Sequence, residues 1–191
     1  MSYTPSDYST CPGFLRDYLY YMLTIKGRSK LTVEGYFIDL RTFFRFLKKY
    51  KGLVPEETPL DEISIQDVPL SLAADVTLSD VYEFLNYPFT EKSNNARTRA
   101  RKVSALRGLY KYLTNNVGLI PTNPIEKLEL PTAKQALPTY LNLEQCYDLL
   151  RTFDQADPNH PRDYCIVTLF LNCGMRLSEM SGLNVNSFRD N

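Results

Sequence analysis

Residues 94 to 114 read NNARTRARKVSALRGLYKYLT, and this stretch predicts a helix. At about 100° per residue, its apolar and basic side chains separate onto opposite sides of a helix. The apolar side consists of Val103, Leu106, Leu109, Tyr110 and Leu113. The basic side consists of Arg97, Arg101, Arg107 and Lys111. The pattern predicts a helix that packs with one face and contacts phosphate with the other, the alternative being a charged face that is merely solvated.

Two further helices are predicted near the N-terminus. Apolar residues at helical spacing predict a helix over residues 14 to 25, with Gly27 as its natural stop. A second helix is expected from about Ser29 or Thr32, because apolar residues then repeat at intervals of three and four as far as Leu47. A stripe of this kind is typical of a helix that packs into a core.

The segment that follows predicts a loop and then a third helix. Residues 51 to 76 contain three prolines among acidic residues, which favours a loop with at most a short helical turn. Thr77 can cap the next helix with its hydroxyl, and Asp80 lies in the first turn, where the helix dipole favours a carboxylate. Pro88 would end that helix. No convincing strand pattern is present, so the sequence predicts an all-α fold.

Charge along the chain is segregated, although the net charge is zero. Residues 52 to 91 contain nine acidic residues and no basic one, whereas residues 92 to 112 contain seven basic residues and no acidic one. A neutral average therefore conceals a basic surface, which suits a nucleic-acid partner.

Past this basic region the sequence predicts a linker and two more helices. Residues 116 to 138 contain four prolines and one glycine, a composition typical of a linker. Asn142 followed by Gln145 predicts a helix start of the capping-box type. Pro161 suits the first turn of another helix, and the nearly all-apolar run over residues 164 to 172 predicts that this helix is buried.

A tight turn follows that helix and carries an arginine. Gly174 can close the helix in a left-handed conformation, and a new helix is expected from Ser178. Arg176 would then sit on a rigid corner, where its planar fork of donors matches two oxygens of a phosphate, and Glu179 is close enough to orient it. The alternative is an ordinary helix cap with a solvated arginine.

Other site classes are disfavoured by the sequence. The four cysteines form no Cys-x-x-Cys pair and have no histidine at ligand spacing, so no metal site and no cofactor are expected. They are read as buried free thiols in a reducing cytoplasm. No apolar run approaches the roughly 18 residues of a membrane span, and the N-terminus has no secretion signal, so a cytoplasmic protein without a membrane partner is expected.

Several of these stretches resemble the tyrosine recombinases, the integrase and Xer-like family. The stretch Asn172-Cys173-Gly174-Met175-Arg176-Leu177-Ser178-Glu179-Met180 is similar to the family's first-arginine box, with Cys173 where threonine is usual. The further matches are Phe14 to Leu19, Lys26 to Tyr36, Asp39 to Arg41, Asn94 to Leu113, Pro121 to Ile125 and Leu137 to Leu141. Together, and in this order, they cover nearly the whole chain.

The resemblance implies a fold and a domain organisation. It implies a SAM-like core-binding bundle of four to five helices over residues 1–130, which clamps DNA. A linker over residues 131–138 would follow, and residues 139–191 would form the first helices of an α+β catalytic domain that is truncated.

The resemblance also implies a chemistry, in which a tyrosine attacks the scissile phosphate and forms a 3′-phosphotyrosyl link. Arg176 would be the first of two arginines that bind the non-bridging oxygens, and Glu179 would support it. Candidate DNA-binding residues, which include the polar face of the second helix, are Lys30, Arg41, Arg45, Arg97, Arg99, Arg101, Lys102, Arg107 and Lys111. The family's catalytic lysine, its His-x-x-Arg box and its tyrosine nucleophile all lie downstream of the first arginine. They are not found here, so these 191 residues are expected not to cleave DNA.

The implied partners are a double-stranded DNA recombination site and further recombinase protomers, which assemble as tetramers in full-length family members. Two alternatives stay open. One is a naturally short, non-catalytic DNA-binding protein of the same lineage. The other is an all-helical protein-interaction domain whose basic face is incidental.

Overall fold

Every regular element that the computed structural model describes is helical. The structure describes residues 8–87, 96–131 and 139–184, and within these ranges it contains no strand. The α-helices are α1 (Gly13–Thr24), α2 (Lys30–Tyr50), α3 (Leu70–Ala74), α4 (Leu78–Asn86), α5 (Ala96–Lys111), α6 (Leu143–Arg151), α7 (His160–Cys173) and α8 (Leu177–Ser181). A 3-10 turn precedes α1 at Tyr8–Thr10, and a π-helical turn, Tyr112–Asn116, continues α5. The all-helical prediction is confirmed for the described residues.

The chain divides into two compact units, residues 1–134 and 135–191. The first unit contains α1 to α5 and a continuous apolar core, and the second contains α6 to α8. None of the helices in the described ranges is long and apolar enough to cross a membrane.

Helix α2 is the centre of the first unit. The Ser29 hydroxyl accepts a hydrogen bond from the Thr32 backbone N–H at 3.2 Å, which confirms Ser29 as the cap. The predicted stripe is buried from Val33 to Leu47, except that Tyr36 is only partly buried. Both α1 and α5 pack against this helix. Burial of so many large apolar side chains is the main force that holds the unit together.

Helices α4 and α5 complete the core of the first unit. At the start of α4, the Thr77 hydroxyl caps the helix as predicted, and Asp80 completes a capping box in which each side chain accepts a hydrogen bond from the other residue's backbone N–H. The predicted apolar side of α5 is buried as far as Leu113, although the α-helical hydrogen bonding ends at Lys111. The predicted helix end at Pro88 and the start at Asn94 lie outside the described residues.

The segment after α5 is packed, which corrects the prediction of a linker from residue 116 onward. Ile120, Ile125 and Leu128 are all buried in the core of the first unit. The backbone N–H groups of Leu119 and Ile120 both bond back to the Leu113 carbonyl, which folds the chain onto the end of α5. The prolines and the glycine favour a turn in this segment, and its isoleucines and leucine hold the turn in the core. The prediction of a linker over 131–138 falls almost entirely outside the described residues.

The second unit has the predicted helix caps but not the predicted burial. Asn142 and Gln145 form a capping box, and Gly174 closes α7 in the left-handed region at φ 59°, ψ 28°. However, no residue between 139 and 184 is buried, and both Cys165 and Cys173 are exposed. Three short helices cannot enclose one another, so the apolar sides of α7 are covered only in part. The expectation of a buried α7 and buried thiols is therefore wrong for this unit, while Cys11 in the first unit is buried.

Two buried tyrosines offer a matched test of this packing. The Tyr110 hydroxyl donates a hydrogen bond to the Ala73 carbonyl at 2.8 Å, whereas the Tyr18 hydroxyl has no partner among the described residues. Tyr110→Phe should lower the free energy of unfolding by about 1–3 kcal/mol, because it leaves a buried carbonyl unpaired. Tyr18→Phe should lower the free energy of unfolding only slightly or should raise it, because this substitution removes an unpaired polar group. Urea unfolding followed by circular dichroism measures both, and equal losses in the two variants would contradict this description.

Candidate nucleic-acid interface

One stripe along α5 holds cationic and small residues on the side away from the core. The spacing places Arg97, Arg101, Ser104, Gly108 and Lys111 on this side. Arg97 and Lys111 are exposed, and so is Arg107, which lies beside the stripe. Arg107 and Lys111 border one groove together with the carboxylate residue Glu126. We refer to the exposed cations Arg97, Arg107 and Lys111 as the α5 ridge.

Arg101 belongs to the same stripe, but its guanidinium is bound within the protein. Its Nη1 atom donates a hydrogen bond to the Gly35 carbonyl at 3.0 Å and lies 2.8 Å from Oδ2 of Asp39 as an ion pair. Both partners belong to α2, and Asp39 is only 4% exposed. Burial raises the pKa of Asp39 to about 6, although Arg101 and Lys102 act to lower it. Arg101 therefore ties α5 to α2, with 45% of its side chain still exposed.

Two other predicted DNA-binding residues of α5 lie away from the ridge. Lys102 is buried, with its ammonium 5.0 Å from the centre of the Phe84 ring, and burial lowers its pKa. Arg99 borders a groove on another side of α5 together with Tyr82 and Lys127. Neither side chain shares the exposed surface of Arg97, Arg107 and Lys111. The helical spacing alone already separates these two positions from the ridge.

The polar face of α2, the other predicted phosphate-binding surface, is largely occupied by the acidic loop that follows it. Arg45 Nε donates to the Ile63 carbonyl at 2.8 Å, and burial lowers its pKa. Lys48 Nζ lies 2.8 Å from Asp67, and Lys49 Nζ donates to the Thr58 carbonyl at 2.9 Å. These contacts join residues 9 to 19 positions apart, so the helical pattern of α2 did not reveal them.

The remaining predicted residues of α2 differ in their exposure. Arg41 is half-buried, with its guanidinium carbon 5.0 Å from the centre of the Phe37 ring, and this stacking holds it along the helix. Lys30, the first residue of α2, is exposed. Of the α2 cations that were predicted, Lys30 is thus the one most available to a partner.

The structure adds two cations that were not among the predicted site residues. Lys26 and Arg28 are exposed in the turn between α1 and α2, and both line one cavity together with Lys111 of α5. Gly27 lies between them in the left-handed region at φ 59°, which lets the chain reverse here. The sequence signal was the pair of basic residues around a helix-ending glycine, but only the packing of α1 on α5 brings them to the ridge.

Arg176 and Glu179 form a closed pair in the second unit. The Glu179 carboxylate accepts a hydrogen bond from the Arg176 backbone N–H at 2.7 Å and another from Nη1 at 2.9 Å. These two bonds lower the pKa of Glu179, the backbone bond being the stronger cause. Helix α8 begins at Leu177, one residue before the predicted start, and Arg176 takes the cap position. The Arg176 side chain is 81% exposed, so it is oriented by Glu179 and open to solvent.

A metal centre finds no support in the part of the chain that the structure describes. No group of three or more His, Cys, Asp or Glu side chains there could hold a metal ion. His160 begins α7 and stacks on Tyr164 with ring centres 5.5 Å apart, which gives it a local structural contact.

Comparison with curated proteins points to one family. The chain is 43% identical over 179 residues to the tyrosine recombinase XerC of Caldanaerobacter subterraneus subsp. tengcongensis, which covers 94% of this chain and 50% of that protein. It is 31% identical over 170 residues to the tyrosine recombinase XerC of Chlamydia muridarum, and this match covers 87% of this chain and 52% of that protein. It is 26% identical over 172 residues to the tyrosine recombinase XerD of Listeria monocytogenes serotype 4b, and this match covers 90% of this chain and 52% of that protein.

These matches cover different shares of the proteins compared. The chain spans about half the length of the curated relatives it matches, while nearly all of the chain is included. No protein-family model matches the chain. No solved structure matches it either.

The contact between Asp39 and Arg101 predicts a specific pH dependence of stability. The pKa of Asp39 is raised from its ordinary 3.8 to about 6, so folding favours the protonated carboxyl. The stabilisation that the protonated Asp39 carboxyl gives to the folded state is therefore complete below pH 4 and is lost as the pH rises through 6. Asp39→Asn imitates the protonated form. Relative to this variant, the wild-type protein should lose about 3 kcal/mol of unfolding free energy between pH 4 and pH 7.5.

Urea titrations of both proteins at the two pH values measure this difference. Arg101→Met should make the loss of unfolding free energy between the two pH values larger, because it removes a cation that lowers the Asp39 pKa. A difference between wild type and Asp39→Asn that is the same at both pH values would rule out the raised pKa.

Proposed function

The chain belongs to the Xer-like tyrosine recombinase family, and we propose that it supplies duplex-DNA binding and the first catalytic arginine for site-specific recombination. The observation that carries this proposal is the set of exposed cations in the first unit. Several other cations of this unit are bound internally, but those of the α5 ridge, the α1–α2 turn and the first position of α2 are exposed. These exposed residues are Lys26, Arg28, Lys30, Arg97, Arg107 and Lys111.

The proposed DNA contact is made by this exposed set, with the α5 ridge at its centre. Lysine and arginine side chains on a rigid helix bind backbone phosphates, release counterions and fix the register of the protein on the duplex. Arg101 assists by holding α5 on α2, and it keeps part of its guanidinium exposed. Lys102 is left out of the proposed surface because it is buried, and Arg99 because it lies on another side of the helix.

Arg176 is proposed to bind the non-bridging oxygens of the scissile phosphate. An arginine has five donor N–H groups in a planar fork, and Glu179 receives one side-chain bond here, which leaves donors for a phosphate. Holding the fork in place before the reaction makes it effective when negative charge builds up in the transition state. Glu179 is proposed as a positioning residue that acts through the backbone and side chain of Arg176.

In the proposed reaction, recombinase protomers assemble on the DNA site in the cytoplasm. A tyrosine hydroxyl then attacks the scissile phosphate, and a 3′-phosphotyrosyl bond forms as the phosphorus bond to the 5′ oxygen breaks and that oxygen leaves as a hydroxyl. The 191 residues contain no tyrosine after Arg176. We therefore propose that they bind DNA without cleaving it.

Neutral substitutions on the α5 ridge test the binding surface. Arg107→Gln and Lys111→Gln should each weaken binding to a duplex of about 30 base pairs roughly tenfold, because each removes one charge-assisted phosphate contact. Fluorescence anisotropy at fixed salt gives the affinities. Arg16→Gln is the matched control, since Arg16 is exposed on the opposite side of α1 from Tyr18. Equal affinities for wild type and both ridge variants would refute this surface.

A nicked duplex that traps phosphotyrosyl links tests the second part of the proposal. The 191-residue protein should shift the duplex in a native gel but leave no covalent protein–DNA band in a denaturing gel. A covalent band that disappears in Arg176→Ala would show that these residues carry a nucleophile, and the proposed division of roles would fall.

A further inference from the structure

The cavity between α1, the start of α2, and α5 combines aromatic walls with a basic rim. It measures about 320 Å³, a size at the lower end of small-molecule sites. Tyr21, Tyr36 and Tyr112 provide ring surfaces, and the Tyr21 and Tyr112 ring centres lie 4.9 Å apart. Such a cavity suits a ligand that has a flat aromatic part.

Three cations on the rim of the same cavity suit a ligand that is also negatively charged. Lys26 and Arg28 come from the α1–α2 turn, and Lys111 comes from α5. Lys26 Nζ lies 5.6 Å from the centre of the Tyr21 ring, so positive charge is held beside an aromatic wall. Burial raises the pKa of Tyr112 in this wall, and one nearby carboxylate, Asp17, adds to that rise. The three basic residues of the rim still outnumber this one carboxylate.

The lining of this cavity includes a residue whose buried hydroxyl has no hydrogen-bond partner among the described residues. Tyr18 lines it, is 1% exposed, and has no hydrogen-bond partner for its hydroxyl among the described residues. Leaving such a group unpaired is unfavourable, and buried hydroxyls nearly always find a partner. Burial raises the pKa of Tyr18, so the hydroxyl stays protonated and can donate a hydrogen bond.

The residue opposite this hydroxyl is a glycine within a helix. A Cβ atom at Gly108 would collide with the Tyr18 hydroxyl, so glycine lets α5 approach the tyrosine. Ser104, one turn earlier, donates its hydroxyl hydrogen to the Ala100 carbonyl at 2.9 Å and keeps its oxygen as an acceptor. The cavity thus offers one donor and one acceptor beside its aromatic walls.

We infer that this cavity binds a nucleobase together with its attached phosphate. The base would stack on the tyrosine rings, its edge would bond with Tyr18 and Ser104, and the phosphate would lie at Lys111 and Arg28. Stacking on tyrosine rings does not distinguish among the bases, and a bound phosphate would account for the basic residues on the rim. The ligand has two possible sources, a free nucleotide or a base turned out of DNA that is bound on the α5 ridge. The inference goes beyond the proposed function, because a free nucleotide requires no DNA.

Calorimetric titration of the 191-residue protein with dAMP tests the site directly, with deoxyadenosine, phenyl phosphate and inorganic phosphate as partial probes. We expect dAMP to bind with a Kd below about 1 mM, and each partial probe to bind at least roughly tenfold more weakly. Tyr18→Phe should weaken dAMP binding about fivefold without loss of thermal stability. Lys111→Gln should weaken dAMP about tenfold and leave deoxyadenosine unchanged. Tyr82→Phe, a tyrosine in a different groove, is the matched control and should have no effect.

A second arm identifies the source of the base. Duplexes with 2-aminopurine at single positions become brighter when the base leaves the stack, and Tyr18→Phe should reduce that increase if the base enters this cavity. Binding of dAMP supports a free nucleotide, and a Tyr18-dependent fluorescence increase without dAMP binding supports a base from DNA.

Two results would overturn the inference. One is the absence of both signals while the same protein sample binds duplex DNA. The other is equal binding of dAMP and inorganic phosphate or phenyl phosphate. Binding of dAMP by a protein that fails to bind duplex DNA would instead remove the proposed function and keep the cavity.

Discussion

The structure of the first unit depends on how α5 is held against α2. The apolar side of α5 is buried on the core, and Arg101 reaches across to the buried Asp39 and to the Gly35 carbonyl. The buried apolar side sets the rotation of α5 about its own axis and supplies most of the stabilisation, and the polar contact adds a second link to α2. With that rotation fixed, Arg97 and Lys111 point away from the core.

The acidic segment has a structural role that explains the charge segregation. Its loop folds back on α2, where carbonyl and carboxylate oxygens accept from Arg45, Lys48 and Lys49. At its far end, Asp80 caps α4 and lies 3.4 Å from Lys51. The acidic segment thus orders three α2 cations through backbone carbonyls and the Asp67 carboxylate, and the α5 ridge keeps its charge. A chain with no net charge can therefore still present a basic surface to a phosphate backbone.

Features that depend on nearby residues were predictable from the sequence. The caps at Ser29, Thr77 and Asn142 and the left-handed Gly174 follow from short-range hydrogen bonds and backbone sterics, and the structure confirms each one. The amphipathic division of α5 was predictable for the same reason, since the helical period places each side chain.

Features that depend on distant residues were not predictable in this way. Nothing in the pattern of α2 shows that Lys48 is paired with Asp67, or that Ile125 anchors a proline-rich segment in the core. The helical spacing places Lys102 away from the ridge, but its ring partner Phe84 belongs to another helix and cannot be inferred from that spacing. Likewise, apolar composition predicted that α7 is buried, but burial needs neighbouring elements that the second unit does not provide among its described residues.

The salt dependence of duplex binding tests the central claim most directly, since it counts the phosphates that the exposed cations neutralise. With one phosphate for each of the six exposed residues of the α5 ridge and the α1–α2 region, the logarithm of the binding constant should fall linearly with the logarithm of salt concentration, with a slope of about −5. A slope near zero, or no binding to duplex DNA at low salt, would contradict the account and favour a helical protein-interaction domain whose basic face is incidental.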